Sequence, residues 1–196
     1  MNAEAYIGVD VGSGSVRAGI FTAAGQRLAF TVKPVSQFHD AGDCIEQSST
    51  EIWQAVCAAV SESVQAAGID PAQIRGIGFD ATCSLVAVRA DGTGISVSPA
   101  GQPERDIIMW RDHRAQEETR EINATGDDAL RYVGGEVSVE MQLPKILWLK
   151  RHLPDRYAQI WRLFDLADYL VWRACGNEVA STCTLTCKWN YLAHER

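Results

Sequence analysis

The sequence lacks several patterns that would assign its 196 residues to a membrane, nucleic-acid or metal-binding class. No apolar run reaches the length of a transmembrane helix, and Met1-Asn-Ala-Glu leads into a predicted strand without a signal peptide. The net charge is −7 with no stripe of lysine and arginine, which disfavours nucleic acid and anionic membrane as partners. The six cysteines include no Cys-x-x-Cys pair, so a zinc site is disfavoured and reduced thiols are expected. We therefore expect a soluble cytoplasmic protein.

Two well-known phosphate-binding loops are absent as well. A P-loop needs Gly-Lys-Ser/Thr at the start of a helix, and no lysine follows the first glycines of this chain. A dinucleotide-binding fingerprint needs a third small residue where Arg17 stands, followed by a helix. Instead, residues 18–21 predict a second strand, which excludes both loops.

What the sequence does contain is a turn of small residues between two predicted strands, 6–11 and 16–21. The first strand ends near an acid, Asp10, and the turn consists of Gly12, Ser13, Gly14 and Ser15. Glycines can adopt positive φ and allow successive N–H groups to point at an anion, and hydroxyl groups add donors. An acid beside a phosphate usually holds Mg²⁺, directly or through water. The pattern predicts a phosphate-binding hairpin, and an ordinary glycine-rich hairpin with a solvated acid is the alternative.

The rest of the chain predicts an α/β fold with a mixed sheet flanked by helices. A third strand at 28–32 completes an antiparallel meander, and a capping box at Ser48 begins a helix that ends before Gly68. Further strands are predicted at 74–79, 85–88, 106–110 and 161–164, and helices follow from residue 115 onward, one of them at 145–151.

Three later segments are candidate sites, each with a structural alternative. Small and hydroxylated residues follow the strand at 74–79, either as a ligand-facing loop or as a simple connection. Polar side chains cluster at 111–114, where Asp112 is either part of a site or an N-cap for the next helix. Lys188 lies among apolar neighbours, and a lysine in such a setting often only extends its amine to solvent.

Taken together, these segments resemble the N-terminal part of the FGGY carbohydrate kinase family, which has the ribonuclease H-like fold of actin and hexokinase. The resemblance rests on GVDVGSGSVRAG, IGFDATCS, IIMWRDHRAQEE and GGEVSVEMQLPKILWLK, followed by FDLADYLVWRACG and STCTLTCKWNYL. These stretches follow the family's order and span essentially the whole chain. The MWRDHRA, EMQLPKILWLK and TCTLTCKW segments are most similar to the pentulose kinases of the D-ribulokinase type.

The resemblance implies transfer of the ATP γ-phosphoryl group to the terminal hydroxyl of a ketopentose, with Mg²⁺ bridging the phosphates. Asp10 would anchor the Mg²⁺, and the turn residues would face the phosphates with the help of Arg17. The sugar would be contacted by a larger set of residues: Asp80, Ala81, Thr82, Cys83, Trp110, Asp112, His113, Glu140 and Lys188.

The resemblance also implies that residues 1–196 form an N-terminal kinase domain that is incomplete at its C-terminal end. In the family, the catalytic aspartate and the second domain lie downstream of these motifs, and no acid present here matches that general base. We therefore expect no appreciable turnover by this chain alone, and self-association through uncovered apolar surface. A natural short module that binds a sugar or a partner, and an actin-like ATPase without a sugar role, are the alternatives.

Overall fold

A computed structural model describes residues 4–39 and 42–195 and separates them into two compact units. The first unit comprises residues 4–37 and 50–82, and the second comprises 38–39, 42–49 and 83–195. Each unit contains its own β-sheet. In the described part of the chain, no helix combines the length and the hydropathy that a membrane span requires.

The first unit is built on a four-stranded sheet whose order is β3-β2-β1-β6. Its strands are β1 Ala5–Val11, β2 Ser15–Thr22, β3 Arg27–Pro34 and β6 Ile74–Ala81. The first three strands form the predicted antiparallel meander, and β6 pairs with β1 in parallel. The alternating burial along β1 shows that one face of the sheet is covered while the other is open.

A long helix, α1 Ser49–Ala67, covers the buried face of this sheet. Its buried residues recur at helical spacing, and they are Ser49, Ile52, Val56, Ala59 and Ser63. The Ser63 hydroxyl donates a hydrogen bond of 3.0 Å to the Ala18 carbonyl of β2, which fixes the helix on the strand. Gly68 follows with φ of 62°, so the predicted end of this helix is confirmed. A short 3₁₀ turn, Pro71–Gln73, then leads into β6.

The second unit combines a five-stranded sheet with five helices among its described residues. The sheet order is β4-β5-β8-β7-β9, with β4 Phe38–His39, β5 Ile45–Gln47, β7 Leu85–Val88, β8 Ile107–Ile108 and β9 Arg162–Asp165. The helices are α2 Gln116–Ala124, α3 Gln142–His152, α4 Pro154–Tyr157, α5 Leu166–Cys175 and α6 Thr182–Lys188. A 3₁₀ segment, Asp128–Val133, lies between α2 and α3. Strand β7 is buried throughout because it lies between β8 and β9 and packs in the core with Trp148 and Leu149 of α3.

Three predicted boundaries need correction. Strand β6 continues through Asp80 and Ala81, because its parallel ladder with β1 extends as far as Val11. Strand β8 has two residues instead of the five predicted at 106–110, because the backbone turns after it. Helix α3 begins at Gln142 and not at Lys145, so Pro144 lies inside its first turn. Proline is tolerated there because the N–H groups of the first turn have no acceptor within the helix, so the missing N–H of proline costs no hydrogen bond.

Candidate functional site

The predicted phosphate hairpin is the turn between β1 and β2 in the first unit. Gly12 donates its N–H to the Ser15 carbonyl at 3.0 Å, so that N–H closes the turn and does not point at a ligand. Neither Gly12 nor Gly14 has a positive φ, so the backbone freedom expected of these glycines is not used. A Cβ on Gly12 would make only ordinary contacts of 3.6 Å with Arg17 and Ser15. Neither backbone conformation nor crowding therefore requires glycine at position 12, and close approach of a ligand stays a prediction.

Three charged side chains lie side by side on the open face of the same sheet. Asp10 pairs with Arg17 across the antiparallel strands and with Asp80 across the parallel ones. Residues paired in register share a face, and neighbouring strands are about 4.8 Å apart. Nη1 of Arg17 donates to Oδ2 of Asp10 at 2.6 Å, and both side chains are about half exposed, at 45% and 47%. The structure thus places Asp80 beside the hairpin acid.

An open cavity of about 540 Å³ lies on this face, and all three charged side chains line it. Gly8, Gly19 and Gly78 form a row across three strands, and Phe21 and Phe30 also line the cavity. Gly19 is buried because the Phe21 ring lies against it, so at this position the missing side chain makes room for an aromatic ring of the chain itself. The backbone is exposed at Gly8 and Gly78, where a flat or extended group can approach the sheet closely.

The residues present fit a magnesium ion in the chemistry of their donors. Asp10 keeps about half of its side chain exposed, and Asp80 adds a second exposed carboxylate next to it. Mg²⁺ prefers oxygen ligands and is usually bound by one or two carboxylates together with phosphate oxygens and water. Among the described residues, no group of three or more His, Cys, Asp or Glu side chains is arranged to hold a metal. Any magnesium site among these residues therefore depends on further oxygens from water or from a ligand.

In the second unit, two turns bring predicted sugar-contacting residues together. The first turn spans 109–112, closed by the Asp112 N–H and the Met109 carbonyl at 3.1 Å, and it carries Trp110. The second spans 138–141 and carries Glu140. Nε2 of His113 lies 3.1 Å from Oε1 of Glu140, with both side chains partly exposed. Residues 27 positions apart in the sequence thus form one polar surface.

Asp112, in contrast, is fully buried and its carboxylate is occupied. Both oxygens accept hydrogen bonds from the Arg114 guanidinium, and Oδ2 also accepts the Ile45 N–H at 2.6 Å. Arg114 also contacts Glu46 at 2.8 Å, and its side chain is only 2% exposed. Burial lowers the pKa of the Arg114 guanidinium, but the hydrogen bonds with Asp112 and the negative charges of Asp112 and Glu46 together outweigh that effect and raise the pKa overall.

This arrangement overturns the alternative in which Asp112 caps a helix, because the N-cap of α2 is Ala115. A direct sugar contact by Asp112 stays a prediction, and it would require the ion pair with Arg114 to open. What the geometry supports is a positioning role, since the buried pair fixes the turn that carries Trp110 and directly precedes His113.

The remaining predicted residues lie around the loop after β6 and at the end of α6. Ala81 is the last residue of β6, and Thr82 donates its N–H to the Val11 carbonyl at 3.0 Å. Burial raises the pKa of the Cys83 thiol, and Asp165 raises it further, while the nearby charge of Lys188 opposes both. Lys188 is therefore within electrostatic reach of Cys83.

The helix that carries Lys188 was not predicted from the sequence. Ser181 caps α6 by accepting the Cys183 N–H, and Asp168 accepts hydrogen bonds from the Ser181 N–H and the Thr184 hydroxyl. These contacts anchor α6 to α5. A serine followed by a hydroxyl-rich segment is the N-cap signal that could have indicated this helix.

Sequence reasoning missed two residues in the first turn of α3, Gln142 and Lys145. Gln142 donates from Nε2 to the Cys83 carbonyl at 3.2 Å and to Oδ2 of Asp165 at 3.2 Å. Lys145 is fully buried and donates to three backbone carbonyls. Lys145 could have been noticed because it lies on the apolar stripe of the helix with Trp148 and Leu149, a position that a lysine rarely occupies.

Comparison with known proteins shows which family the chain matches. A family profile described as "FGGY family of carbohydrate kinases, N-terminal domain" matches residues 5–192. A D-ribulokinase from Saccharomyces cerevisiae is 48% identical over 192 residues, which cover 97% of this chain and 27% of that protein. A human FGGY carbohydrate kinase domain-containing protein is 46% identical, with 97% of this chain and 34% of that protein covered. The chain thus spans about a third or less of the length of these relatives.

Solved structures show the fold. A gluconate kinase from Lactobacillus acidophilus matches with a TM-score of 0.80 at 20% identity, over 95% of this chain and 36% of that chain. A ligand-bound xylulose kinase from the same organism matches with a TM-score of 0.78 at 19% identity, over 94% of this chain and 36% of that chain. The expected α/β fold of the actin- and hexokinase-like ATPases is therefore confirmed.

Proposed function

The chain belongs to the FGGY family of carbohydrate kinases, and we propose that it provides the phosphate-facing and sugar-facing residues of an ATP-dependent ketopentose kinase. The reaction would transfer the γ-phosphoryl group of ATP to the terminal hydroxyl of a sugar similar to D-ribulose. The observation that carries this proposal is the 48% identity to a yeast D-ribulokinase across nearly the whole chain. The clusters in the two units support it, because each has the polar chemistry that one of the two substrates needs.

On the phosphate side, the first unit offers a cation, hydroxyl groups and two carboxylates. Arg17 would neutralise phosphate charge, and the hydroxyls of Ser13 and Ser15 would donate to phosphate oxygens. Asp10 would hold Mg²⁺, directly or through water. Asp80, which is predicted to contact the sugar, lies beside Asp10 in the first unit and would add a second carboxylate near the ion. When bound, the ion would neutralise charge on the phosphates. This role fits the exposure of Asp10, which keeps carboxylate oxygen accessible beside Arg17.

On the sugar side, the second unit offers the donors and acceptors that a polyhydroxylated ligand requires. His113 and Glu140 would bind hydroxyl groups, and the Trp110 ring would form an apolar wall against the carbon skeleton. Lys188 would contact the sugar from α6, with Cys83 nearby. Asp112 would act through Arg114 by holding the turn at 109–112 in place.

We further propose that this chain alone has no appreciable kinase turnover and functions in the cytoplasm. Both sites consist of binding groups, and no carboxylate assigned here has the role of general base for the attacking hydroxyl. The chain is therefore expected to bind each substrate weakly without reaction. Robust phosphorylation of D-ribulose by the purified 196-residue chain, dependent on ATP and Mg²⁺, would overturn this part of the proposal.

A thermal-shift experiment on the purified chain tests the binding function. D-ribulose, L-ribulose, D-xylulose and ATP with Mg²⁺ are added separately, and we expect D-ribulose to give the largest increase in Tm among the sugars. A ligand at ten times its Kd stabilises the folded state by about 1.4 kcal/mol, which such an assay resolves. A shift with ATP and none with any sugar would contradict the proposal in favour of an ATPase without a sugar role.

Matched variants assign the response to the two clusters. Glu140→Gln should weaken the response to D-ribulose and leave the response to ATP unchanged, while Asp10→Asn should do the reverse. Glu104→Gln serves as the control because Glu104 is exposed, lies in a loop and is not one of the assigned residues. If Glu140→Gln and Asp10→Asn showed the same Tm response to D-ribulose and the same response to ATP, the assignment of one cluster to each substrate would be contradicted.

A further inference from the structure

The amine of Lys145 lies where the two sugar-side turns meet. Its Nζ donates to the Met109 carbonyl at 2.9 Å, to the Trp110 carbonyl at 3.0 Å and to the Glu140 carbonyl at 3.2 Å. An ammonium group has three N–H donors, so these three carbonyls use its whole donor capacity. The first two acceptors belong to the turn at 109–112 and the third to the turn at 138–141.

The placement of this lysine is unfavourable for stability, which argues that it is kept for another reason. It is fully buried, and it lies in the first turn of α3, where the helix dipole disfavours a cation. Burial lowers the pKa of Lys145 from 10.5 to about 8. Asp112 and Glu140 oppose that decrease, whereas Lys188 and Arg114 add to it.

We propose that Lys145 is a positioning residue that clamps the Trp110 turn to the Glu140 turn and thereby sets the geometry of the sugar site. This inference deepens the proposed function and rests on it. Lys145 would not touch the sugar, since its three donors are already occupied by backbone carbonyls. The contact between His113 and Glu140 joins the same two turns at their exposed side, so the clamp holds them from within.

The clamp also links the sugar site to the rest of the second unit. Gln142, one helical turn before Lys145, holds the Cys83 carbonyl and the buried Asp165. Ser84, next to Cys83, accepts the Trp110 N–H through its hydroxyl at 3.1 Å. The first turn of α3 therefore contacts the backbone of all three segments that carry the predicted sugar residues Cys83, Trp110 and Glu140.

The variant that tests the clamp is Lys145→Met, which keeps an unbranched side chain but has no N–H donor. In the full 196-residue chain, we expect its affinity for D-ribulose to fall by about tenfold or more, because the two turns lose their common tether. Its affinity for ATP with Mg²⁺ should be unchanged, since the phosphate-side residues belong to the other unit. Lys150→Met is the matched control, because Lys150 lies on the same helix with its side chain exposed.

A pH titration of the unmutated chain keeps the proposal testable even if Lys145→Met does not fold. The neutral amine has two N–H donors for three carbonyls, so sugar affinity should fall as the pH rises through about 8. Stability should move in the opposite direction. The folded-state pKa lies below the unfolded value of 10.5, so the unfolding free energy should gain from Lys145 between about pH 8 and pH 10.5. If Lys145 had only a structural role, the rise in unfolding free energy would not be accompanied by a fall in sugar affinity.

The outcomes distinguish failure of the clamp from failure of the proposed function. A folded Lys145→Met chain with unchanged sugar affinity, or with parallel losses for sugar and ATP, would overturn the clamp. A wild-type chain that binds no ketopentose would overturn the proposed function instead. In that case hydrogen exchange still tests the clamp, because Lys145→Met should lower amide protection in both turns while Lys150→Met leaves it unchanged.

Discussion

Two Asp–Arg ion pairs lie at the predicted ligand-facing regions, and they differ in almost every property except their length. Arg17 and Asp10 approach to 2.6 Å, and Arg114 and Asp112 approach to 2.7 Å. The first pair is about half exposed on the open face of a sheet, whereas the second is 2% and 0% exposed inside the other unit. Distance alone would rank the two pairs as equal.

The difference in burial separates a pair that can accept a ligand from a pair that builds the fold. An exposed pair contributes little to stability, since water and salt screen it, and its remaining oxygens stay accessible. A buried pair must satisfy all of its polar atoms inside the protein, as Asp112 does with Arg114 and the Ile45 N–H. Loss of one buried partner leaves an uncompensated charge.

The largest effect is therefore expected for Asp112→Ala. The variant leaves the Arg114 guanidinium buried next to Glu46 alone, and we expect a loss of about 3–5 kcal/mol in unfolding free energy. Urea denaturation followed by far-UV circular dichroism measures it, and Glu104→Ala is the exposed control. A loss below about 1 kcal/mol would place the buried pair in the same class as the exposed one.

A buried carboxylate without a guanidinium sharpens the comparison, and Asp106 is such a group. It accepts the Ser49 N–H at 2.7 Å and is 3% exposed. Burial raises its pKa from 3.8 to about 6, although the hydrogen bonds from Ser49 oppose this. Because the folded-state pKa exceeds the unfolded one, its contribution to stability is present below about pH 4 and lost as the pH rises through about 6.

The change Asp106→Asn should remove this pH dependence while keeping an oxygen acceptor for the Ser49 N–H. We expect the unfolding free energy of the unmutated chain, relative to that of the variant, to fall by about 1–3 kcal/mol between pH 4 and pH 7. Chemical denaturation at several pH values measures the difference. If the difference in unfolding free energy between the unmutated chain and the variant were the same at every pH, Asp106 would not titrate in this range.

The sequence alone predicted the first unit more accurately than the second. The meander and α1 could be predicted because alternating and helical apolar spacing dominate there, and Gly68 marks the helix end. The extension of β6 through Asp80 could not, since it depends on pairing with a strand that is 70 residues away in the sequence. Strand propensity depends on the residues of one short segment, whereas a parallel ladder depends on a tertiary contact with a distant segment.

The same limit explains what the sequence revealed about the candidate sites. Motif resemblance placed His113 and Glu140 on one ligand, and the structure brings them to 3.1 Å from each other. It could not separate Asp112 from its neighbours, because a buried carboxylate and an exposed one look alike in a motif. It also gave no role to Lys145, whose partners are backbone carbonyls and so leave no residue type to recognise.

The smallest effect on stability is expected for the exposed pair. Arg17→Met should change the unfolding free energy by about 0–1 kcal/mol, and the change should shrink further at 1 M salt, where charges are screened within about 3 Å. Arg114→Met, measured in the same denaturation series, should lose several times as much, because it leaves Asp112 and Glu46 buried without their common cation. Ligand binding should rank the two variants differently, since Arg17→Met should weaken binding of ATP with Mg²⁺ in a thermal-shift assay although its fold is intact. A stability loss for Arg17→Met equal to that for Arg114→Met would mean that the hairpin pair builds the fold too, and the reason to assign Arg17 to a phosphate would be removed.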